Sequence, residues 1–158
     1  MPHLTMNAMK ARYLRSIRLL AECFHAFERI SSEHIRTLDL TPSQFDIIAT
    51  LGNTPGMTFK ELGDKTLITK GTLTGIVDRL EDKGLVRRVA QPEDRRSTIV
   101  KLTARGEREF ERVFQPHVEH CRKAFGGMSD AQFDALDREL SRLKAALDQG
   151  AGAVRCTD

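Results

Sequence analysis

Two sets of side chains in this 158-residue chain have types and spacings that could do chemistry, and both suit a polyanion. The first is the polar run Gln91-Pro92-Glu93-Asp94-Arg95-Arg96. Pro92 favours a turn, so Arg95 and Arg96 project from a narrow tip. An arginine presented in this way can enter a minor groove, where negative potential is concentrated. Asp94 beside them suits the task of orienting an arginine. The second set lies in the stretch 69–83, where Leu73, Ile76, Val77 and Leu80 recur at i, i+3, i+4 and i+7 as one buried stripe. The opposite face then carries Gly71, Thr72, Thr74, Gly75, Asp78 and Arg79. Such a face suits a major groove: glycines let a backbone approach closely, and threonines bond bases or touch a thymine methyl group. Lys70 and Arg79 at its margins reach phosphates. Each set by itself is equally an ordinary solvated surface.

The elements that must position them are legible from periodicity and capping. Residues 8–36 form one long helix, with Tyr13, Ile17, Leu20, Phe24 and Phe27 along a single seam. Thr41-Pro42-Ser43-Gln44 opens a second helix as a capping box; Phe45, Ile48 and Leu51 share its apolar face, and Gly52-Asn53-Thr54-Pro55-Gly56 ends it. Thr58-Phe59-Lys60-Glu61 is another capping box, opening a short helix to Asp64 or Leu67. Thr69 is placed to cap the next helix, which runs to Lys83 with Gly84 as its stop. Two short helices joined tightly, the second amphipathic, suit a helix-turn-helix. Leu85-Val86-Arg87-Arg88-Val89 and Thr98-Ile99-Val100-Lys101-Leu102 flank the polar tip and predict a hairpin, a wing carrying Arg88 in its first strand. Thr103 starts a helix through Phe125, Gly126-Gly127 breaks it, and Ser129 caps a last helix with a seam at Phe133, Leu136, Leu140, Leu143 and Leu147. The expected fold is mainly α with a small β-hairpin wing. It is a single domain over 1–158, with helices 8–36 and 104–149 flanking a winged-helix lobe at 41–103 and a flexible tail at 150–158.

Composition narrows the classes. Hydrophobic residues are 40% and charged residues 30%, as in a globular protein, and no apolar run approaches the ~18 residues of a membrane span. The opening MPHLTMNAMKARYLRS lacks a continuous apolar stretch, so a cytoplasmic chain is expected, without membrane contact. Net charge is +3, and all of that excess lies in residues 55–103, which carry 10 basic against 7 acidic side chains between near-neutral flanks. The three cysteines, Cys23, Cys121 and Cys156, have neither an even count nor CxxC spacing, which suits neither a disulfide scaffold nor a zinc site. There is no G-x-S-x-G, G-x-x-x-x-G-K-[ST] or H-E-x-x-H, so no enzyme is expected, and no metal or cofactor.

Asp94-Arg95-Arg96 followed by Val100-Lys101-Leu102-Thr103 resembles the D-x-R wing signature, with its downstream L-T, of the MarR-type winged-helix transcriptional regulators. Thr69-Lys70-Gly71-Thr72-Leu73-Thr74, Asp78-Arg79-Leu80-Glu81 and Lys83-Gly84-Leu85-Val86 are similar to that family's recognition helix and first wing strand. The resemblance covers roughly Leu40 to Gly106, with matching helical flanks. It implies a homodimer entwined through the first and last two helices and bound to a pseudo-palindromic double-stranded operator, with Arg96 in the minor groove held by Asp94. The candidate DNA contacts are Thr69, Lys70, Thr72, Thr74, Arg79, Arg88, Asp94, Arg95 and Arg96.

The resemblance also implies an effector, expected to be a small aromatic or phenolic acid that releases a repressor from DNA. A pocket for it would lie between the first, second and fifth helices, with Arg15 and His25 as candidate ligands for a carboxylate or phenol. The two are ten positions apart, and each is otherwise a surface ion-pair or packing residue. A thiol-based redox regulator using Cys23 is the alternative. The peroxide-sensing branch, however, places its cysteine near the position of Ile17 and beside tyrosines, whereas this chain has only Tyr13; Cys23 otherwise fills an apolar seam. Cys121 is a candidate to meet Cys23 of a second subunit. The absence of Trp fits poorly with the urate-responsive pattern. A protein-binding winged helix without DNA affinity is the rival of another class, and Arg88, Arg95 and Arg96 argue against it.

Overall fold

Helix starts here are set by side chains that occupy backbone N–H groups with no partner inside the helix. In the computed structural model, which describes residues 3–91 and 97–154, a long helix α1 spans His3–Arg36, beginning earlier than the apolar pattern indicates. Helix α2 follows over Pro42–Leu51. The Thr41 hydroxyl accepts from Gln44 N at 3.2 Å, and Gln44 Oε1 accepts from Thr41 N at 3.2 Å. The same device opens α3, Phe59–Thr66, where the Glu61 carboxylate accepts from both the backbone N–H and the hydroxyl of Thr58 at 2.8 Å. Those bonds hold the Glu61 carboxyl below the usual carboxylate range. Helix α4, Lys70–Asp82, departs from this scheme. Thr69 stands at its N-cap with extended backbone, but its hydroxyl donates to Thr72 Oγ1 at 3.1 Å and makes no capping bond to the helix.

Strand β1, Met57–Thr58, is too short to show any alternation and was not expected from sequence. Gly56, at φ +113°, turns the chain so that Met57 lies opposite Val100. With β2, Val86–Ala90, and β3, Thr98–Leu102, it completes an antiparallel sheet of order β1-β3-β2, in which Val86 pairs with Leu102 and Ala90 with Thr98. Helices α5, Ala104–Ala124, and α6, Asp130–Val154, follow. Ser129 and Gln132 form the capping box of α6. That helix runs past Gln149, where a frayed tail was expected, because Ala145, Ala146 and Ala151 are strong helix formers. Residues 155–158 lie outside the described residues.

The chain divides into two compact units, Met1–Cys121 and Arg122–Asp158. The core of the first unit collects the expected stripe Leu73, Ile76, Val77 and Leu80 with Ile47, Ile48, Leu51, Leu62, Val86, Val100 and Val113. Ile35 and Leu40 carry the end of α1 into it. In the second unit the rings of Phe125 and Phe133 meet at 5.9 Å. Among the described residues, no helix is long and apolar enough to cross a membrane.

A small knot of backbone joins α4, both wing strands and α5. Gly84, at φ +71°, ends the helix, and Leu85 N donates back to Leu80 O at 2.9 Å. Leu85 O accepts from Thr103 N at 3.0 Å, while the Thr103 hydroxyl donates to Gly84 O at 2.6 Å and accepts from Gly106 N at 3.0 Å. A Cβ on Gly106 would lie 1.9 Å from Leu85 O, so α5 reaches the knot only because that side chain is absent. Gly106→Ala should therefore destabilise the fold by about 3 kcal/mol, whereas Gly71→Ala, where an added Cβ meets nothing, should leave stability unchanged or raise it by up to about 1 kcal/mol. Urea denaturation of both variants checks this.

Candidate nucleic-acid interface

On α4 the turn of the helix separates two faces cleanly. Leu73, Ile76, Val77 and Leu80 are buried, while Lys70, Gly71, Thr72, Thr74, Asp78 and Arg79 are exposed. A Cβ added at Gly71 or Gly75 would meet nothing within 4 Å, so these glycines relieve no internal crowding and leave a bare strip of backbone facing outward. The Thr74 hydroxyl donates to Lys70 O at 3.2 Å, leaving its lone pairs and methyl group on the surface. Thr69 and Thr72 share a hydrogen bond at the start of the helix. These residues are therefore brought together as the sequence indicated.

The wing begins where its first strand is fastened to this helix. The Arg88 guanidinium forks onto Asp78 and Glu81 of α4, and its backbone N–H donates to Glu81 Oε1 at 3.1 Å. The same guanidinium lies over the Phe59 ring of α3, 5.5 Å from its centroid. Arg88 is thus engaged within the fold, paired with two carboxylates of α4, where the sequence suggested a DNA contact. Asp94, Arg95 and Arg96 lie outside the described residues. A groove of about 470 Å³ opens beside Arg88, Lys70 and Thr74, and Lys60 of α3 also lines it. The sequence reading missed Lys60; its position one residue into a capped helix, beside the turn, was the available signal.

The candidate ligand residues on α1 are not brought together. Arg15 lines an open surface depression with Arg12, Ser16 and Leu19. His25 pairs with Glu28 at 3.2 Å in another, lined also by Arg29 and Arg36. Cys23 is exposed in the chain rather than buried in it. The junction of α1, α2 and α5 is instead filled by a histidine cluster. His34 Nδ1 lies 3.0 Å from His117 Nδ1, and His117 Nε2 lies 3.2 Å from Ser31 Oγ and 3.4 Å from Cys121 Sγ. His120 stacks on His34 at 4.2 Å, and the edge of Phe45 meets His117 at 4.4 Å. The signal in the sequence was spacing: His117 follows Phe110 and Val113 on the apolar stripe of α5. Burial pushes the Cys121 thiol up, away from the thiolate a redox sensor needs.

Two short helices presenting a glycine–threonine face, with a hairpin fastened to the second, define a winged helix-turn-helix protein. The sequence profile of the MarR family matches residues 38–97. The transcriptional regulator HosA of Escherichia coli O111:H- is 33% identical over 92 residues, covering 55% of this chain and 68% of HosA. Escherichia coli MarR, in a mutant form complexed with operator DNA, superposes with a TM-score of 0.74 at 26% identity, over 84% of this chain and 95% of that one. Bordetella bronchiseptica BpsR, whose DNA binding is regulated by 6-hydroxynicotinic acid, has a TM-score of 0.71 at 26% identity, over 80% and 91%. The chain belongs to the MarR family of transcriptional regulators.

The histidine cluster makes stability depend on pH. Two δ-nitrogens 3.0 Å apart leave room for one proton between them, so protonating both rings at these atoms is disfavoured. Burial first, then His34 and His120, depress the His117 pKa below the ordinary histidine value. Above about pH 6.5 His117 is neutral folded or unfolded, and its contribution is fully present. As pH falls further the unfolded chain takes up a proton that the folded chain refuses, so stability is lost through the depressed folded pKa. Thermal melts of wild type and His117→Gln between pH 8 and pH 5 should show the steeper decline in wild type, and parallel curves would contradict it.

Proposed function

We propose that this chain is a homodimeric, sequence-specific DNA-binding repressor, released from a pseudo-palindromic operator by a small aromatic or phenolic acid. The observation that carries the reading is the α4 face, where Thr72 and Thr74 stand beside two glycines that nothing inside the protein requires. A duplex fits this face: bare backbone admits the groove wall, and hydroxyl and methyl groups meet base edges. Lys60, Lys70 and Arg79 border it with positive charge for phosphates. The wing tip completes the footprint, with Arg96 in the minor groove, Asp94 holding it and Arg95 nearer a phosphate.

Dimerisation is supported by apolar side chains left in water. Tyr13, Phe24 and Phe27 of α1 and Leu136, Leu140 and Leu147 of α6 are exposed along the seams that the sequence spacing defines. The effector reading draws on 6-hydroxynicotinic acid, an aromatic acid that regulates DNA binding by BpsR.

Binding to duplex DNA should fall steeply with salt, as counterion release requires. Arg96→Ala should weaken it by about 1–3 kcal/mol, and Thr74→Ala should change the preferred bases rather than the overall affinity. Equal affinity of wild type and Arg96→Ala in fluorescence anisotropy at physiological salt would refute the wing assignment. Leu140→Glu places a charge on the α6 seam and should sediment as monomer or aggregate; a stable Leu140→Glu dimer would count against these helices as the interface.

A further inference from the structure

Leu67 lies in the turn of the helix-turn-helix, between α3 and α4. It sits at the C-cap of α3 with φ +56° and ψ +17°, the left-handed region in which a leucine is strained and a glycine is not. It is also 89% exposed, the most exposed large hydrophobic side chain among the described residues. Its neighbours are both anchored inward. Thr66 is buried, with its hydroxyl donating to Leu62 O at 2.7 Å and accepting from Ile68 N at 3.4 Å, and Ile68 packs against the core. The turn is thereby held on either side of Leu67, and its isobutyl group is fixed outward. A strained, clamped backbone thus keeps an apolar group in water, a cost that the fold itself does not require.

What it faces is a groove of about 610 Å³ with Phe59 and Ile68 in its lining, bordered by Lys60 and Lys70 and by the single carboxylate of Asp64. Lys60, Lys70 and Phe59 also line the neighbouring groove that holds Thr74, so the two depressions run together onto the α4 face. A narrow surface with an apolar floor, two ammonium groups and continuity with that face matches a sugar–phosphate strand, whose deoxyribose is apolar and whose phosphates are anionic.

We propose that Leu67 is a positioning contact for bound DNA: it packs against a deoxyribose beside the recognition helix while Lys60 and Lys70 hold the flanking phosphates. This rests on the DNA-binding reading above.

The test uses the full chain and a fluorescent random-sequence duplex, with affinity measured across a salt series and thermal stability measured in parallel. Leu67→Gly removes both the strain and the side chain. It should keep or raise the melting temperature while weakening binding roughly three- to tenfold, the loss of a partly buried leucine contact. Leu67→Ala keeps the left-handed backbone cost and should weaken binding similarly, whereas Leu67→Met keeps the apolar reach and should bind as wild type does. None of the three removes a charge, so their salt slopes should match wild type, while that of Lys60→Ala should be shallower by about one. Unchanged affinity in Leu67→Gly and Leu67→Ala would overturn the proposal and leave the groove to a protein partner. Weakening that follows a fall in melting temperature would overturn it too, as a folding effect. Wild-type protein that binds no duplex would instead remove the DNA-binding reading, and this proposal with it.

Discussion

The Thr103 hydroxyl is the constraint on which the arrangement depends. It donates to Gly84 O and accepts from Gly106 N, while the Thr103 backbone N–H donates to Leu85 O. One residue thereby ties the end of the recognition helix, the root of the first wing strand and the first turn of α5 within a few ångströms. The left-handed Gly84 and the bare Cα of Gly106 are what let three chain segments meet there. Because the wing springs from this knot, the direction in which β2 leaves α4 is set at its root by these hydrogen bonds.

Arg88 extends that control along the strand. Its fork onto Asp78 and Glu81 fastens β2 to the exposed flank of α4, and its contact with Phe59 includes α3 in the same clamp. The clamp also shapes the local field. Asp78 and Glu81 bring two negative charges to this flank of α4, and the single guanidinium offsets one of them in place. Positive charge then comes from Lys60, Lys70 and Arg79 at the margins, and the centre of the face is glycine and threonine.

Helix α1 divides its length between two tasks. Its C-terminal end enters the core through Ile35 and joins α5 through His34 and His117, while Arg112 of α5 donates to Leu38 O at 3.0 Å just beyond it. Its earlier turns leave Tyr13, Phe24 and Phe27 in water. A perturbation at the histidine junction thus acts where α1 and α5 meet the lobe that carries α4.

What the sequence determined by itself was whatever depends on near neighbours. Capping boxes at Thr41 and Thr58 involve residues three apart, and the α4 stripe is a 3.6-residue repeat, so the starts of α2 and α3 and the buried and outward faces of α4 followed from local rules. The wing strands were legible because β-branched residues flank a polar turn. Tertiary structure decided the rest, since the partners are distant in sequence or too brief to form a pattern. Thr69 looked like a cap, but its hydroxyl turned to Thr72. Strand β1 exists only because Val100 and Ile99 are there to pair with two residues. Arg88 carried the same charge as any phosphate contact until folding set Asp78 and Glu81 against it. Spacing puts His117 on the buried stripe of α5, but only folding set His34, 83 positions away, against it, while Arg15 and His25 stayed apart on the surface. Local spacing states which face a side chain occupies; only packing states what that face meets.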